Sequence, residues 1–395
     1  MKIAQVVIRF WPAIGGGVQH VIHLSNSLSS RGHLVDVYTS FFIDNINEAN
    51  VPVDERYCDR IRVRRYKWLK LVLGRDTTYI APKIFFDIAR REYDIVHVHG
   101  FRYFPVYGGV FASSFIKTPI VATLHHVPEP PNTHLQKLYD AVFMRLINRF
   151  SKIIALTNYE RMWLIYHGVN PQKVVVIPNG LPSTYFKEID KIKHEEVLIF
   201  RSKYGLENII CLTFLGRIDR VKNLDVIVKA IYLIPENTRK NIKLLVVGPD
   251  WGYKQYLIDL AKRLGVLKNI LFLKPITTER EKMILLRSSD IFIMPSIRET
   301  FSIASIEAMA ARIPVLASKV GGLKEVIRDG ISGYLLDPFN PNEWAEYIIK
   351  LVEDEYLRRK LGENGRRIAE QYYNWNVLVT LIEQVYKEVT MNIKN

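Results

Sequence analysis

The stretch IFIMPSIRETFSIASIE, residues 291–307, decides how this chain is read. Ile291–Met294 is an apolar, strand-like run, and a loop through Pro295 and Glu299 follows it. Ser302 stands where a helix cap is wanted, and the pattern is helical from Ile303 to Arg312. The unpaired N–H groups of such a helix start form an anion site. Glu299 in the loop and Glu307 about one turn further in bracket that site with carboxylates. A ligand with phosphates flanked by hydroxyl-rich groups fits this arrangement; taken alone, the spacing also fits a solvated glutamate and an ordinary helix glutamate.

The same strand–loop–helix unit recurs outward in both directions. Before it come apolar runs at Ile3–Ile8, Leu34–Tyr38, Ile95–Val98, Ile120–Leu124, Ile153–Leu156 and Val174–Ile177, with helical stretches such as Val18–Ser30 and Leu135–Phe150 between them. A second set occupies Ile209–Leu215, Ile242–Val247, Ile270–Leu273, Ile291–Met294, Val315–Ala317 and Tyr334–Leu336. Alternation of this kind predicts parallel sheets covered on both faces. A chain of 395 residues is long enough for two such cores. Gly180–Val197, with its turn residues and mixed charges, is the expected linker. The expected domains are 1–185 and 196–370, followed by a helical segment over 371–395. Glu353–Asn395 carries few helix breakers.

In open parallel sheets, ligands bind beyond the carboxyl ends of the strands. The unusual chemistry of the sequence is concentrated in the loops expected there. Gly216-Arg217 to Lys222-Asn223 offers two cations to a diphosphate: an arginine fork and a lysine point charge. Charge on a surface loop is the plain alternative. Gly15, Gly16 and Gly17 let backbone approach a ligand, or form a flexible turn. His125 follows the strand ending at Leu124, where it could bond a sugar hydroxyl, lend charge to a reacting centre, or serve structure alone. His97 and His99 read as core or cleft wall. Turns near Gly248 and Pro275 complete the set. No GxGxxG, GxxxxGK[ST] or GxSxG pattern is present, and no zinc set is legible from spacing.

The net charge is +15. Residues 56–91 alone hold eleven basic and three acidic residues. Trp68, Leu69, Leu71 and Leu73 are interleaved with these cations, so the segment is expected to meet an anionic membrane surface; a solvated strand and helix is the alternative. No run is long and apolar enough to span a bilayer. The start of the chain reads as a first strand and not a signal peptide. Two distant cysteines exclude a disulfide framework and suit a reducing compartment. A nucleic-acid partner is not expected, because no recognition motif accompanies the charge.

Taken in order, the Glu299–Glu307 element, the Gly216–Asn223 loop and the Gly15–Gly17 loop resemble the family 4 retaining glycosyltransferases of the GT-B fold. Asp94-Ile-Val-His97, Val176 to Gly180, Val320-Gly-Gly322 with Glu325, and Asp329 to Gly333 extend the resemblance over most of the chain. It implies an α/β fold of two Rossmann-like, doubly wound parallel-sheet domains facing across a cleft. It also implies a UDP- or GDP-sugar as co-substrate, with no further cofactor and no metal. By position, Arg217 and Lys222 would hold the diphosphate, Glu299 the donor sugar beside Thr300, and Glu307 the ribose. The N–H groups of Phe301 and Ser302 would touch sugar or phosphate, Gly15, Gly16 and Gly17 would close on phosphate, and Gly248 and Pro275 would frame the base. His125 would contact the sugar, so the implied catalytic set is His125, Arg217, Lys222 and Glu299. Thr300 stands where the family often has glycine, and His126 where an acid often stands. The expected acceptor is lipid-linked or a glycan at the cytoplasmic membrane face. The alternatives are a soluble sugar or sugar phosphate, or epimerase chemistry on the same fold.

Overall fold

The computed structural model describes all residues except 14, 44–46, 74–75, 102, 126–141 and 395. The chain forms two compact units: residues 1–179 together with 375–395, and residues 180–374.

Unit 1 is built on an eight-stranded sheet. Its strands are β1 (Lys2–Val6), β2 (Leu34–Ser40), β3 (Asp54–Cys58), β4 (Ile61–Tyr66), β7 (Ile95–His99), β8 (Ile120–Thr123), β9 (Lys152–Ala155) and β10 (Val174–Val176), with a separate hairpin of β5 (Leu69–Leu73) and β6 (Asp76–Ile80). The order is β10-β9-β8-β7-β1-β2-β4-β3, parallel except where β3 runs against β4. Successive residues bury on opposite faces. Ile3, Ile95, Val121 and Ile154 enter one core, and Ala4, Val96, Ala122 and Ile153 the other. The strands therefore read as continuous apolar runs. The first of these cores is completed by Trp375, Leu378, Val379, Ile382, Val385, Tyr386 and Val389 of the last helix, Trp375–Lys394.

Unit 2 has six parallel strands: β11 (Ile210–Leu215), β12 (Ile242–Val247), β13 (Ile270–Leu273), β14 (Ile291–Met294), β15 (Val315–Ser318) and β16 (Gly333–Leu336). Their order is β13-β12-β11-β14-β15-β16. The chain winds outward from β11 to β13, then restarts on the other side of β11 with β14. The crevice of this sheet therefore opens between the loops that leave β11 and β14. In unit 1 the same reversal falls between β1 and β7.

Two expectations change, and a third lies largely outside the described residues. Gly180–Val197 is not an open linker: it holds the helix Ser183–Asp190 and the start of the helix His194–Lys203, both within unit 2. Asp190 there binds Arg312 and the buried Arg366, and Arg366 also donates to the Phe186 and Ala310 carbonyls. The expectation of free cations along the basic segment changes for its first part, up to residue 66, where several cations are paired with acids. That part lies in β3 and β4, where Arg62 forks onto Asp54, Arg64 reaches Asp54 at 2.9 Å, and the buried Arg65 binds Glu55 at 2.7 Å. Trp68, the expected interfacial aromatic, is buried edge-on against Phe104. Finally, much of the helix expected over Leu135–Phe150, and the loop beyond His125, lies outside the described residues. Among the described residues, no helix is long and apolar enough to cross a membrane.

Candidate active site

Unit 2 brings its predicted residues together at the crevice. Asp219 caps the turn Arg220–Lys222 by accepting from the Lys222 N–H at 3.0 Å. Asn223 follows in the left-handed conformation, and its side-chain amide donates to the Pro295 and Pro338 carbonyls. The Ile297 N–H bonds the Val221 carbonyl at 2.9 Å, tying the loop after β14 to the loop after β11. The Gly322 N–H holds the Glu299 carbonyl at 2.9 Å. So fixed, Lys222 Nζ donates to Glu299 Oε2 at 2.6 Å, with side-chain exposures of 14% and 18%. The pair joins the two loops at the switch point and still faces solvent. An ammonium has three donors and a carboxylate about four lone-pair sites, so both groups keep capacity for a ligand.

Arg217 is about half exposed. Its guanidinium lies 4.4 Å from the Trp251 ring centroid, and Asp219 is 3.5 Å away. A half-exposed guanidinium held against an aromatic ring keeps donors available for phosphate. Its loop is zipped to the turn after β12: the Ile218 N–H donates to the Pro249 carbonyl and the Trp251 N–H to the Ile218 carbonyl. Gly248 permits this approach. Its φ is +147°, and a Cβ there would stand 1.9 Å from the Gly216 carbonyl oxygen. Pro275 is exposed in the loop that leaves β13.

Ser302 caps the helix Ile303–Ala310, accepting from the Ser305 N–H at 3.3 Å. The first-turn amides of this helix have no intrahelical acceptor, and they point toward the carboxyl end of the sheet. Phe301 is buried edge-on against Tyr373, and Thr300 is also buried. Glu307 is buried and accepts from Lys282 Nζ at 2.5 Å. Burial pushes its carboxyl up, with Lys282 pulling the other way. Lys282 is itself held above the ordinary lysine range: burial opposes its charge, but Glu307 and Glu279 outweigh it. Lys282 and Trp251 were invisible as site residues in the sequence, since no spacing relates them to Glu307 and Arg217; Asp219 lay within the Arg217–Lys222 loop at cap spacing and could have been read there.

Unit 1 gathers histidines from distant segments. His125 has φ +64°, and its Nε2 lies 3.1 Å from His99 Nδ1. His99 Nε2 donates to Gln5 Oε1 at 2.5 Å. That bond leaves His99 Nδ1 as an acceptor, so His125 Nε2 carries the proton and His125 Nδ1 is a bare lone pair. His125 Nδ1 has no partner among the described residues. His20 Nδ1 donates to Asn179 Oδ1, while His97 bridges Tyr386 and Thr123. Burial pushes the imidazoles of His97, His99 and His125 well below their usual value and takes His20 down to about 4. Burial therefore favours the neutral form of His125, whose free nitrogen can accept a hydrogen bond. No metal set was legible from spacing, yet the fold places one nitrogen each of His20, His99 and His125 within 4.8 Å of one another. Gly15, Gly16 and Gly17 are exposed at the start of the helix Gly16–Ser30, with Gly15 at φ +154°.

Two doubly wound parallel sheets, one with an Arg/Lys loop and a Glu–helix loop at its switch point, define the class of the GT-B glycosyltransferases. The chain belongs to the family 4 glycosyltransferases: the glycosyltransferase family 4 pattern matches residues 14–184 and glycosyl transferases group 1 matches residues 199–368. It is 30% identical to a D-inositol 3-phosphate glycosyltransferase of Streptomyces bingchenggensis over 75% of this chain and 67% of that one. It is 26% identical to an N-acetyl-alpha-D-glucosaminyl L-malate synthase of Bacillus anthracis over 100% and 99%. The Anabaena HepE protein, solved in complex with UDP, shares the fold with a TM-score of 0.77 at 21% identity, covering 98% of this chain and 100% of that one. The protein is a glycosyltransferase enzyme.

Proposed function

We propose that this glycosyltransferase moves a sugar, with retention at the anomeric carbon, from a nucleotide sugar held at the crevice of unit 2. The observation that carries the proposal is the Lys222–Glu299 contact at 2.6 Å, which unites a cation and a sugar-binding carboxylate across the switch point. In this proposal Arg217, Lys222 and the amides of Phe301 and Ser302 take the diphosphate. Glu299, beside Thr300, binds donor sugar hydroxyls, Glu307 binds ribose, and Gly248 and Pro275 frame the base. In unit 1, Gly15, Gly16 and Gly17 are donor-phosphate contacts, and His125 Nδ1 accepts from a sugar hydroxyl. No residue is assigned as a covalent nucleophile. The departing diphosphate is stabilised by fixed charge, an electrostatic task, and can itself take the proton of the acceptor hydroxyl on the same face. UDP is proposed ahead of GDP, supported by the HepE complex.

The acceptor is proposed to be lipid-linked or a glycan at the cytoplasmic membrane face. A soluble sugar phosphate is the second reading, favoured by the relative named for D-inositol 3-phosphate. The test is a panel of UDP- and GDP-sugars followed by slow donor hydrolysis, then by acceptor arms with inositol phosphate and polyprenyl phosphate sugars. The proton NMR coupling of the product anomeric carbon reads the stereochemistry. An inverted product, or free epimerised sugar formed without an acceptor, sinks the proposal.

A further inference from the structure

Beyond the paired arginines of β3 and β4, unit 1 carries an exposed aromatic patch. Phe86, Phe111 and Phe115 are 51%, 68% and 41% exposed. Phe86 and Phe115 stack with centroids 5.8 Å apart, and Phe111 meets Phe115 edge-on at 5.7 Å. They rim a groove of about 220 Å³ whose walls include Phe85, Phe104 and Tyr107. Its floor is the bare backbone of Gly108, where a Cβ would fall 2.3 Å from the Phe85 ring. Three large exposed rings in one contiguous patch are the kind of surface that marks an interaction site.

The charge around the patch selects the partner. Phe86 lies on the helix Lys83–Ala89, so Lys83 (i−3) and Arg90 (i+4, just past the helix end) share its stripe, and both are exposed. Lys117 is exposed two residues beyond Phe115. The acid on this helix, Asp87, is engaged: it accepts from the Tyr66 hydroxyl at 2.8 Å and lies 3.9 Å from Arg90. From Gly100 to Leu124 the sequence contains no acidic residue. We propose that this face docks on an anionic bilayer surface: Phe86, Phe111 and Phe115 enter the acyl boundary, and Lys83, Arg90 and Lys117 meet headgroup phosphates. This is independent of the donor chemistry, so an enzyme that binds UDP but no vesicle refutes docking and leaves the donor site standing.

Flotation of the full chain with vesicles of phosphatidylcholine, alone or mixed with phosphatidylglycerol, tests it. Binding is expected to the mixed vesicles, and to fall with added salt. The Phe86→Ser/Phe111→Ser variant is expected to lose more than about tenfold in partitioning. Lys83→Gln and Arg90→Gln are each expected to lose about fivefold. Melting temperature and UDP affinity should stay at wild-type values, which separates lost docking from lost folding. Failure of the wild type to float with anionic vesicles overturns the proposal, as does flotation of the double phenylalanine variant at the wild-type level. A wild-type dimer in solution that the same variant dissolves also overturns it, because the patch would then serve a second copy of the chain.

Discussion

Lys222→Ala removes the ammonium at the switch point. Its Nζ sits 2.6 Å from Glu299, and both side chains are mostly shielded from water. A unit charge about 4 Å from a phosphate oxygen, at an effective dielectric near 20, interacts by about 4 kcal/mol. Measured losses for single groups of this kind lie near 3 kcal/mol. With about 1.4 kcal/mol per tenfold, kcat/KM for donor turnover should fall between about a hundredfold and a thousandfold. The cost to the fold is smaller: Glu299 is left without its cation, but the 14% and 18% exposure of the pair lets water reach the carboxylate, so the loss should be about 1–3 kcal/mol and the enzyme should still fold. Lys222→Arg keeps the charge but replaces a point donor by a fork, and should fall between the two. The assay is UDP release from the preferred donor, with melting temperature and UDP affinity measured alongside. A folded Lys222→Ala enzyme within about fivefold of wild-type kcat/KM would refute the diphosphate assignment.

Gly248→Ala should destabilise unit 2 by about 3 kcal/mol, since its Cβ would collide with the Gly216 carbonyl at a φ only glycine favours; thermal melting checks this, and a wild-type melt would mean that the two loops separate readily. Glu307→Gln leaves Lys282 without its nearest buried partner and should cost about 3 kcal/mol, the low end for a broken buried pair, because Glu279 remains 2.9 Å from Lys282; adding Lys282→Met should recover much of that loss, and no recovery would contradict the pairing argument. The imidazole cluster makes stability pH-dependent. His20 titrates near 4 folded against 6.5 unfolded, so its contribution is complete above 6.5 and lost as the pH falls through 4. It amounts to roughly 3 kcal/mol from His20 alone; urea midpoints that stay flat from pH 7 to 4 would contradict it.

What the sequence disclosed, and what it withheld, follows from where each feature is written. The strands of both sheets are buried on two faces, so β1, β7, β11 and β14 appear as unbroken apolar runs. The loop chemistry at Arg217, Lys222, Glu299 and Ser302 lay within single strand–loop–helix units, where local order predicts proximity. In β4, Ile61-Arg-Val-Arg-Arg-Tyr is a half-buried alternation whose outward arginines look like free charge until Asp54, found on the antiparallel neighbour β3, is placed beside them. The Gln5–His99–His125 chain and the Lys282–Glu307 pair join residues 26 to 94 and 25 positions apart. No periodicity encodes such meetings; only the order of strands and the crossing of helices creates them.

The last helix gives the chain a constraint during synthesis. Trp375, Leu378, Ile382 and Tyr386 close a core otherwise made from the first 179 residues. While the ribosome is still translating unit 2, one hydrophobic face of the amino-terminal sheet is only partly covered, by the helix Gly16–Ser30, and it stays so until residues 375–389 have cleared the exit tunnel. Loss of residues 375–389 would therefore damage the earliest-made part of the molecule, and the two units cannot be inherited or shuffled as separate genetic modules by cutting once between them.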